Sequence, residues 1–390
     1  MSANHIGVRV RHWRLKRGLS QRALAELAGF TQGYIAQIEA GTSPLDKRSS
    51  QVSLAQALQV SVADLTGQPY DPQSIEHSVA ATALPALRGA LMAISLDDRH
   101  TAARGLDQLR AVFDNAVELH NTCRYDRLLP ILPALLLDLH AHRDNPEAAT
   151  MLVWISYATT FAAKYLGYVD LSMLAAQQCR TIAPTLADPA WLAVAEFAAL
   201  HALPPEAKDV AQRHTAAALD RTEAAAGDTR AAQVYGMLHL TAAMSSAITG
   251  RTDAAHAHLN EAEQVAQRVG ERNFAQMWFG PTNVVIWRMG VYAELGEGDR
   301  VSAIPEIDPT RLGSLNRQAT YYADMGRSLA QSKGNEPRAL AALLRAESIA
   351  PQRVRLSPQV RETVGAMLRR ARATAGGREL HTLARRLGTV

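Results

Sequence analysis

The chain has 390 residues, 47% of them apolar and 20% charged, with a formal net charge of +4. That length exceeds a single small core, and that apolar share excludes a disordered chain, so two or more globular domains are expected. Only two cysteines occur, Cys123 and Cys179, with no C-x-x-C and no histidine at ligand spacing, which argues against a disulfide framework or a zinc site.

The charge is concentrated at the front. Residues 1–70 hold Arg9, Arg11, Arg14, Lys16, Arg17, Arg22, Lys47 and Arg48 against Glu26, Glu39, Asp46 and Asp64, so the whole excess lies there. A polyanion partner for this segment follows. The first predicted helix, in "HIGVRVRHWRLKRG", spaces Ile6, Val10 and Trp13 on one face and stops at Gly18. Ser20 is the N-cap of the next, "QRALAELA", with a stripe of Leu24, Leu27 and Ala28. Gly29 breaks the chain, and Thr31 caps a third helix whose inner stripe is Ile35 and Ile38. After Gly41 and the polar loop "TSPLDKRSSQ" come "VSLAQALQV" and "SVADLTG". Five short helices in about 65 residues are expected, the third carrying Gln, Gly and Tyr at its outer N-terminal end.

This ordered set, "GLSQRALAELAGFTQGYIAQIEAG…SLAQALQVSVADLTG", resembles the helix-turn-helix domain of the XRE family, the group of lambda-type phage repressors. The resemblance covers about residues 6–67. It implies a second motif helix lying in the major groove of a double-stranded DNA operator with its N-terminal residues on base edges. Gln32, Gly33 and Gln37 then face bases, and a glutamine amide matches adenine N6/N7. Tyr34 faces a base methyl or a phosphate, Thr31 opens the reading helix, and Gln21 reaches a phosphate. Gly33 departs from the long side chain common at that position, which removes one base contact. By the same resemblance Arg14 and Glu39 pair to brace the first helix against the reading helix. Lys47, Arg48 and Ser49 match phosphate-gripping positions at a helix N-terminus. A homodimer reading two half-sites is implied as well.

Residues 67–85 contain three prolines and no sustained apolar period, so 71–84 reads as a linker between a 1–70 DNA-binding domain and an 85–390 helical domain. Beyond it every pattern is helical. Turn signals recur near Arg124, Gly167, Pro204, Gly250, Gly296 and Gly334, each joining an aromatic-bearing helix to an Ala/Leu-rich one. The arrangement resembles the tetratricopeptide (TPR) class at superfamily level, a stack of helix hairpins with a concave surface. The expected fold class is therefore all-α, a five-helix lambda-repressor-like helix-turn-helix domain followed by a TPR-like α-solenoid. Candidate ligand-binding residues on the concave face are Trp154, Tyr235, His239, Asn283, Trp287, Arg288 and Tyr321, and a side-chain amide such as Asn283 would hold a peptide backbone. A segment at the C-terminal end, "SPQVRETVGAMLRRARA", offers Val360, Val364, Met367 and Leu368 as a dimer face or as a terminal cap.

No nucleophile, zinc-protease or phosphate-loop motif occurs, and the His140/His142 and His256/His258 pairs diverge on a helix, so an enzyme, a cofactor or a metal is not expected. The basic N-terminus carries no apolar run, so no signal peptide is expected, and the least charged stretches, 148–163 and 231–250, read as too polar to span a bilayer. A cytoplasmic transcription regulator sensing a peptide or small molecule is the expectation. The alternative is a scaffold or antitoxin-like protein whose repeats bind a partner protein and whose DNA domain only autoregulates.

Overall fold

The computed structural model describes residues 5–98, 101–332, 334–372 and 377–389, except the side chains of residues 299, 302 and 372, and among the described residues all regular structure is helical. The first five helices are α1 (Ile6–Lys16), α2 (Gln21–Ala28), α3 (Gln32–Ala40), α4 (Arg48–Leu58) and α5 (Val62–Thr66). Their apolar stripes converge on a core of their own, with Val10, Leu24, Ile35, Leu45, Leu54, Leu58 and Leu65 fully buried. Gly7 permits this packing: a Cβ there would lie 1.8 Å from the Ile38 carbonyl oxygen. Any side chain would push α1 off the end of α3.

The remaining helices are α6 (Ile75–Thr82), α7 (Leu84–Ser95), α8 (Leu106–Asn121), α9 (Tyr125–Ala141), α10 (Pro146–Leu166), α11 (Val169–Ile182), α12 (Pro189–Ala202), α13 (Lys208–Glu223), α14 (Thr229–Ile248), α15 (Thr252–Val269), α16 (Pro281–Leu295), α17 (Gly298–Ala303), α18 (Leu315–Ala330), α19 (Glu336–Ile349), α20 (Pro351–Arg355), α21 (Pro358–Arg372) and α22 (Arg378–Arg386). Each of the six turn signals falls between consecutive helices, the first between α8 and α9 and the last between α18 and α19. Chain neighbours such as α10 and α11, α14 and α15, and α18 and α19 pack most extensively. Long alanine-rich faces permit that: Ala158, Ala175, Ala243, Ala255 and Ala262 are all fully buried. Small side chains let helix axes approach closely and gain dispersion along their length.

Two expectations change. The presumed linker, 71–84, contains α6, because Ser74 caps it through the His77 amide (3.2 Å) and Ala80 packs into the main core. Ile75–Ser95 is a helical stretch long and apolar enough to cross a membrane by length and composition; here α6 and α7 pack on α9. The second change is in the C-terminal segment. Val360, Val364, Met367 and Leu368 are buried within the chain's own core, as a terminal cap and not as a free dimer face.

The array of helices closes on itself. The Asp126 amide at the start of α9 donates to Gln352 Oε1 (3.0 Å), and Gln352 Nε2 donates back to Asp126 Oδ1 (2.6 Å). The Arg353 guanidinium lies 4.0 Å over the Tyr165 ring. A segment between α15 and α16 reaches across the inner face. Its Phe274 amide donates to Gln233 Oε1 (2.8 Å), Trp154 Nε1 donates to the Ala275 carbonyl (3.0 Å), and Asn283 Nδ2 donates to the Met277 carbonyl (3.2 Å). Phe279 is fully buried over Gly236, where a Cβ would come within 2.0 Å of its ring.

Candidate nucleic-acid interface

Two caps and one brace set the reading helix. Ser20 Oγ accepts from the Ala23 amide (3.1 Å) and starts α2; Thr31 Oγ1 accepts from the Tyr34 amide (3.2 Å) and starts α3. Each satisfies a donor that the first helical turn leaves open. Arg14 Nε donates to Glu39 Oε1 (2.6 Å) and Arg14 Nη2 to Glu39 Oε2 (2.9 Å), a two-pronged contact that fixes α1 against the end of α3. Gln21 Nε2 adds a third bond to Glu39 Oε2 (2.9 Å), so α2 joins the same brace. Gln21 is thus drawn inward as a brace, where a phosphate contact was expected. Burial alone would raise the Glu39 pKa, but the bonds from Arg14 and Gln21 outweigh it and hold the carboxylate below its ordinary value.

On this frame Gln32, Gly33 and Gln37 are exposed along one side of α3. Tyr34 is half-buried, with its ring 5.2 Å from Phe30 edge to face, so its body belongs to the head's packing. Arg11 and Lys16 are exposed on α1, Arg22 on α2 pairs with Glu26 (3.0 Å), and Arg17 donates to the Leu58 and Gln59 carbonyls at the end of α4 (3.0 Å each). The exposed neutral amides of α3 have the donor and acceptor pairs that hydrogen-bond readout of base edges needs.

The other basic group lies elsewhere. Lys47, Arg48 and Ser49 face the helical domain, not the open surface. Glu294 at the end of α16 accepts from the Arg48 amide (3.1 Å), the Ser49 amide (2.8 Å) and Ser49 Oγ (2.9 Å). Its side chain is fully buried, and the Arg48 guanidinium lies 3.7 Å from it. A carboxylate therefore fills the N-terminus of α4, the place assigned to a DNA phosphate, because both anions satisfy the same open amides and helix dipole. Neighbouring contacts seat the head: Arg327 Nη2 donates to the Asp46 carbonyl (3.0 Å), the Ile6 amide donates to Glu362 Oε1 (3.0 Å), and Arg369 Nε donates to the Gly41 carbonyl.

The expected ligand residues do not form one site. Trp154, Asn283 and Tyr321 are buried. Trp154 and Asn283 hold the backbone of the chain's own 274–277 segment, so the amide that was to grip a foreign peptide grips an internal one. Tyr321 packs in a small separate cluster with Ile286 and Met289. His239 is buried with Nδ1 3.0 Å from His258 Nδ1, and Tyr235 stacks on it edge to face at 4.6 Å. Arg288 pairs with Glu263 (2.8 Å). Of these residues Trp287 joins a basic cluster with His201 and Arg317, and with Lys164 bonded to His201, none of which was singled out from the sequence. Among the described residues no group of three or more His, Cys, Asp or Glu side chains is placed to hold a metal ion.

The capped two-helix motif, its brace and its exposed amides are the decisive geometry. Residues 5–66 match the helix-turn-helix domain family. The match covers the whole head, α1 to α5, and supports DNA binding by it. No curated protein and no solved structure matches the chain. The helix-turn-helix domain is thus a unit with its own core, seated on an all-helical domain by contacts from α16, α18 and α21.

Proposed function

We propose that this protein is a cytoplasmic, sequence-specific, DNA-binding transcription regulator whose helical domain senses an effector and holds two copies together. The observation that carries the reading is the exposed Gln32–Gly33–Gln37 edge of α3, aimed by a buried Arg14–Glu39–Gln21 brace. A fold that needed α3 only for packing would not invest a buried ion pair in orienting a solvent-facing amide row. The test is footprinting of the full-length protein on the DNA flanking its own gene, at rising salt. A discrete protected site whose affinity falls steeply with salt is expected, since cations that grip phosphates release counterions. Failure to protect any site at low salt would overturn the reading.

A specific surface also keeps a second reading in play, a scaffold that binds a partner protein. Ile75 (82% exposed) and Leu96 (78%), with Val79 and Met92, leave α6 and α7 with large apolar side chains in solvent. In the regulator this surface receives a second copy of the chain; in the scaffold it receives another protein. Sedimentation of the purified chain separates them: a dimer that Ile75→Asp and Leu96→Asp dissociate supports the first, and a wild-type monomer supports the second.

A further inference from the structure

Side chains of α10, α12, α14, α16, α18 and α20 come together in one basic and aromatic cluster, referred to below as the chamber, and Arg48 of the helix-turn-helix domain joins it. Lys164 Nζ donates to the His201 carbonyl (2.7 Å) and lies 3.5 Å from His201 Nδ1. The His201 ring faces Trp287 at 6.1 Å, and the Arg317 guanidinium lies 5.4 Å over the Trp287 ring. Arg353 covers Tyr165, and its Nε donates to Asn316 Oδ1 (3.1 Å). The Arg48 guanidinium closes the near side, 3.9 Å from Met244 Sδ. Lys164 is exposed and Tyr165, His201, Trp287, Arg317 and Arg353 are half-exposed, although each is in contact with another member of the cluster. They therefore line a space that solvent enters.

The charge in that space is unbalanced. Among the described residues, Lys164, Arg317 and Arg353 make no ion pair with a carboxylate. Two carboxylates of the neighbouring helices are committed elsewhere, Glu294 to the N-terminus of α4 and Asp324 to Arg327 (2.8 Å). Although its ammonium reaches solvent, the protein atoms crowded around Lys164 desolvate it, and with Arg48 and Arg353 they push its pKa down to about 7. Trp287 Nε1 and Arg317 Nε have no hydrogen-bond partner. Three like charges held in a partly desolvated space repel one another, and donors left without acceptors add to the cost. One oxyanion among them would relieve both.

We propose that this chamber binds a small aromatic oxyanion, its phosphate or carboxylate among Lys164, Arg317 and Arg353 and its flat ring against Trp287 and Tyr165. This gives a chemistry to the effector and rests on the ligand-sensing part of the proposed function, not on DNA binding. Because Arg48 belongs to the DNA-binding domain, an anion in the chamber also competes with Glu294 for that guanidinium, which links occupancy to the seating of the head.

The test is calorimetric titration of the full-length protein with phenyl phosphate, benzoate and inorganic phosphate, with tryptophan fluorescence followed in parallel. Saturable binding of one phenyl phosphate or one benzoate per chain is expected, with altered fluorescence. Which of the two binds more tightly distinguishes a phosphate ligand from a carboxylate one. Arg317→Gln and Lys164→Met should each weaken binding at least about tenfold, and Arg213→Gln, at an exposed position of α13, should leave it unchanged. Lys164→Met removes one of the repelling cations, so a folded variant is secured even where Arg317→Gln is unstable. Absence of saturable binding by both aromatic anions, or wild-type affinity in Lys164→Met, overturns the site. Equal affinity for inorganic phosphate and phenyl phosphate overturns the assignment of the aromatic ring. A footprint that fails while the titration succeeds rejects the DNA-binding role and leaves the chamber standing.

Discussion

At the scale of single residues, three side chains carry separable roles. Gln37 is exposed on the reading edge, so Gln37→Ala should cost about 1–3 kcal/mol at the preferred site while binding to random DNA changes little. Competition binding with specific and random duplexes measures both, and equal losses would remove Gln37 from the readers. Glu39 is different in kind, because Arg14 and Glu39 are nearly buried, with side-chain exposures of 9% and 5%. Glu39→Ala leaves a buried guanidinium without its partner, a change worth about 3–5 kcal/mol, and a lowered melting temperature of the whole chain is the expected readout. Lys164 makes a pH prediction. Its folded pKa, about 7, lies below the ordinary lysine value of 10.5. Below pH 7 the group is charged in both states, and the full repulsion from Arg48 and Arg353, with Arg317 and His201 also close by, weighs on the fold. Between pH 7 and 10.5 the folded chain holds fewer protons than the unfolded one, so stability contributed at this site rises with pH. Lys164→Met should therefore raise the melting temperature most at pH 6 and progressively less toward pH 9; a gain that grows with pH would contradict the assignment. Of these residues the first two were legible in the sequence through its resemblance to the XRE motif, whose ordered residues lie in one short stretch of chain. Lys164 was not: it reads as one charged residue near the end of a mostly uncharged helix, and its surroundings come from α12, α18 and α20, far along the chain.

At the scale of elements, α4 shows where local reading ends. Its N-terminus was recognisable as a phosphate site from Lys47, Arg48 and Ser49, yet the group that fills it, Glu294, lies 246 residues from Arg48. Nothing near Glu294 distinguishes it from any helix-ending glutamate. The aromatic residues show the complementary failure. Trp154, Trp287 and Tyr321 share the same helical spacing, but only the closure of the array decides which is core and which lines the chamber. The occupied α4 terminus has a direct consequence for affinity. DNA phosphate and Glu294 compete for the Arg48 and Ser49 amides, so Glu294→Ala in the full-length protein should tighten operator binding. A realistic coupling of about 1–3 kcal/mol corresponds to roughly 5–150-fold. Unchanged or weaker binding in a gel-shift titration would show that the seated head is already competent, with α4 playing no part in gripping DNA.

At the scale of the whole molecule, the head and the helical domain share a seam that includes α1, the α3–α4 loop, α4 and the start of α5 on one side and α14, α16, α18, α21 and Glu206 before α13 on the other. If DNA draws α4 off Glu294, protection from hydrogen exchange should fall in α16 and α21 when operator is added, while the α2–α3 motif gains protection. Loss of protection confined to α2 and α3 would place the response in the head alone. The all-helical character of the chain was plain from its patterning, since periodicity survives without tertiary knowledge. The seam and the closed array were not, because they join segments such as Asp126 and Gln352 that no local pattern links.

The segment from Asn273 to Phe279 has a mechanical meaning. It is tied to α8 through Asn121 and Gln276 (3.0 Å), to α10 through Trp154, to α14 through Gln233 and to α16 through Asn283. It works as a spoke across a wheel, and its Ala275, Gln276 and Trp278 take left-handed backbone angles near φ 50–59° to make the span. A wheel with a spoke cannot change its diameter without breaking that tie. The helical domain therefore has little compliance of its own, unlike an open spring of repeats that tightens around a ligand. Whatever force an occupant of the chamber exerts is transmitted outward, to the rim where the head is seated.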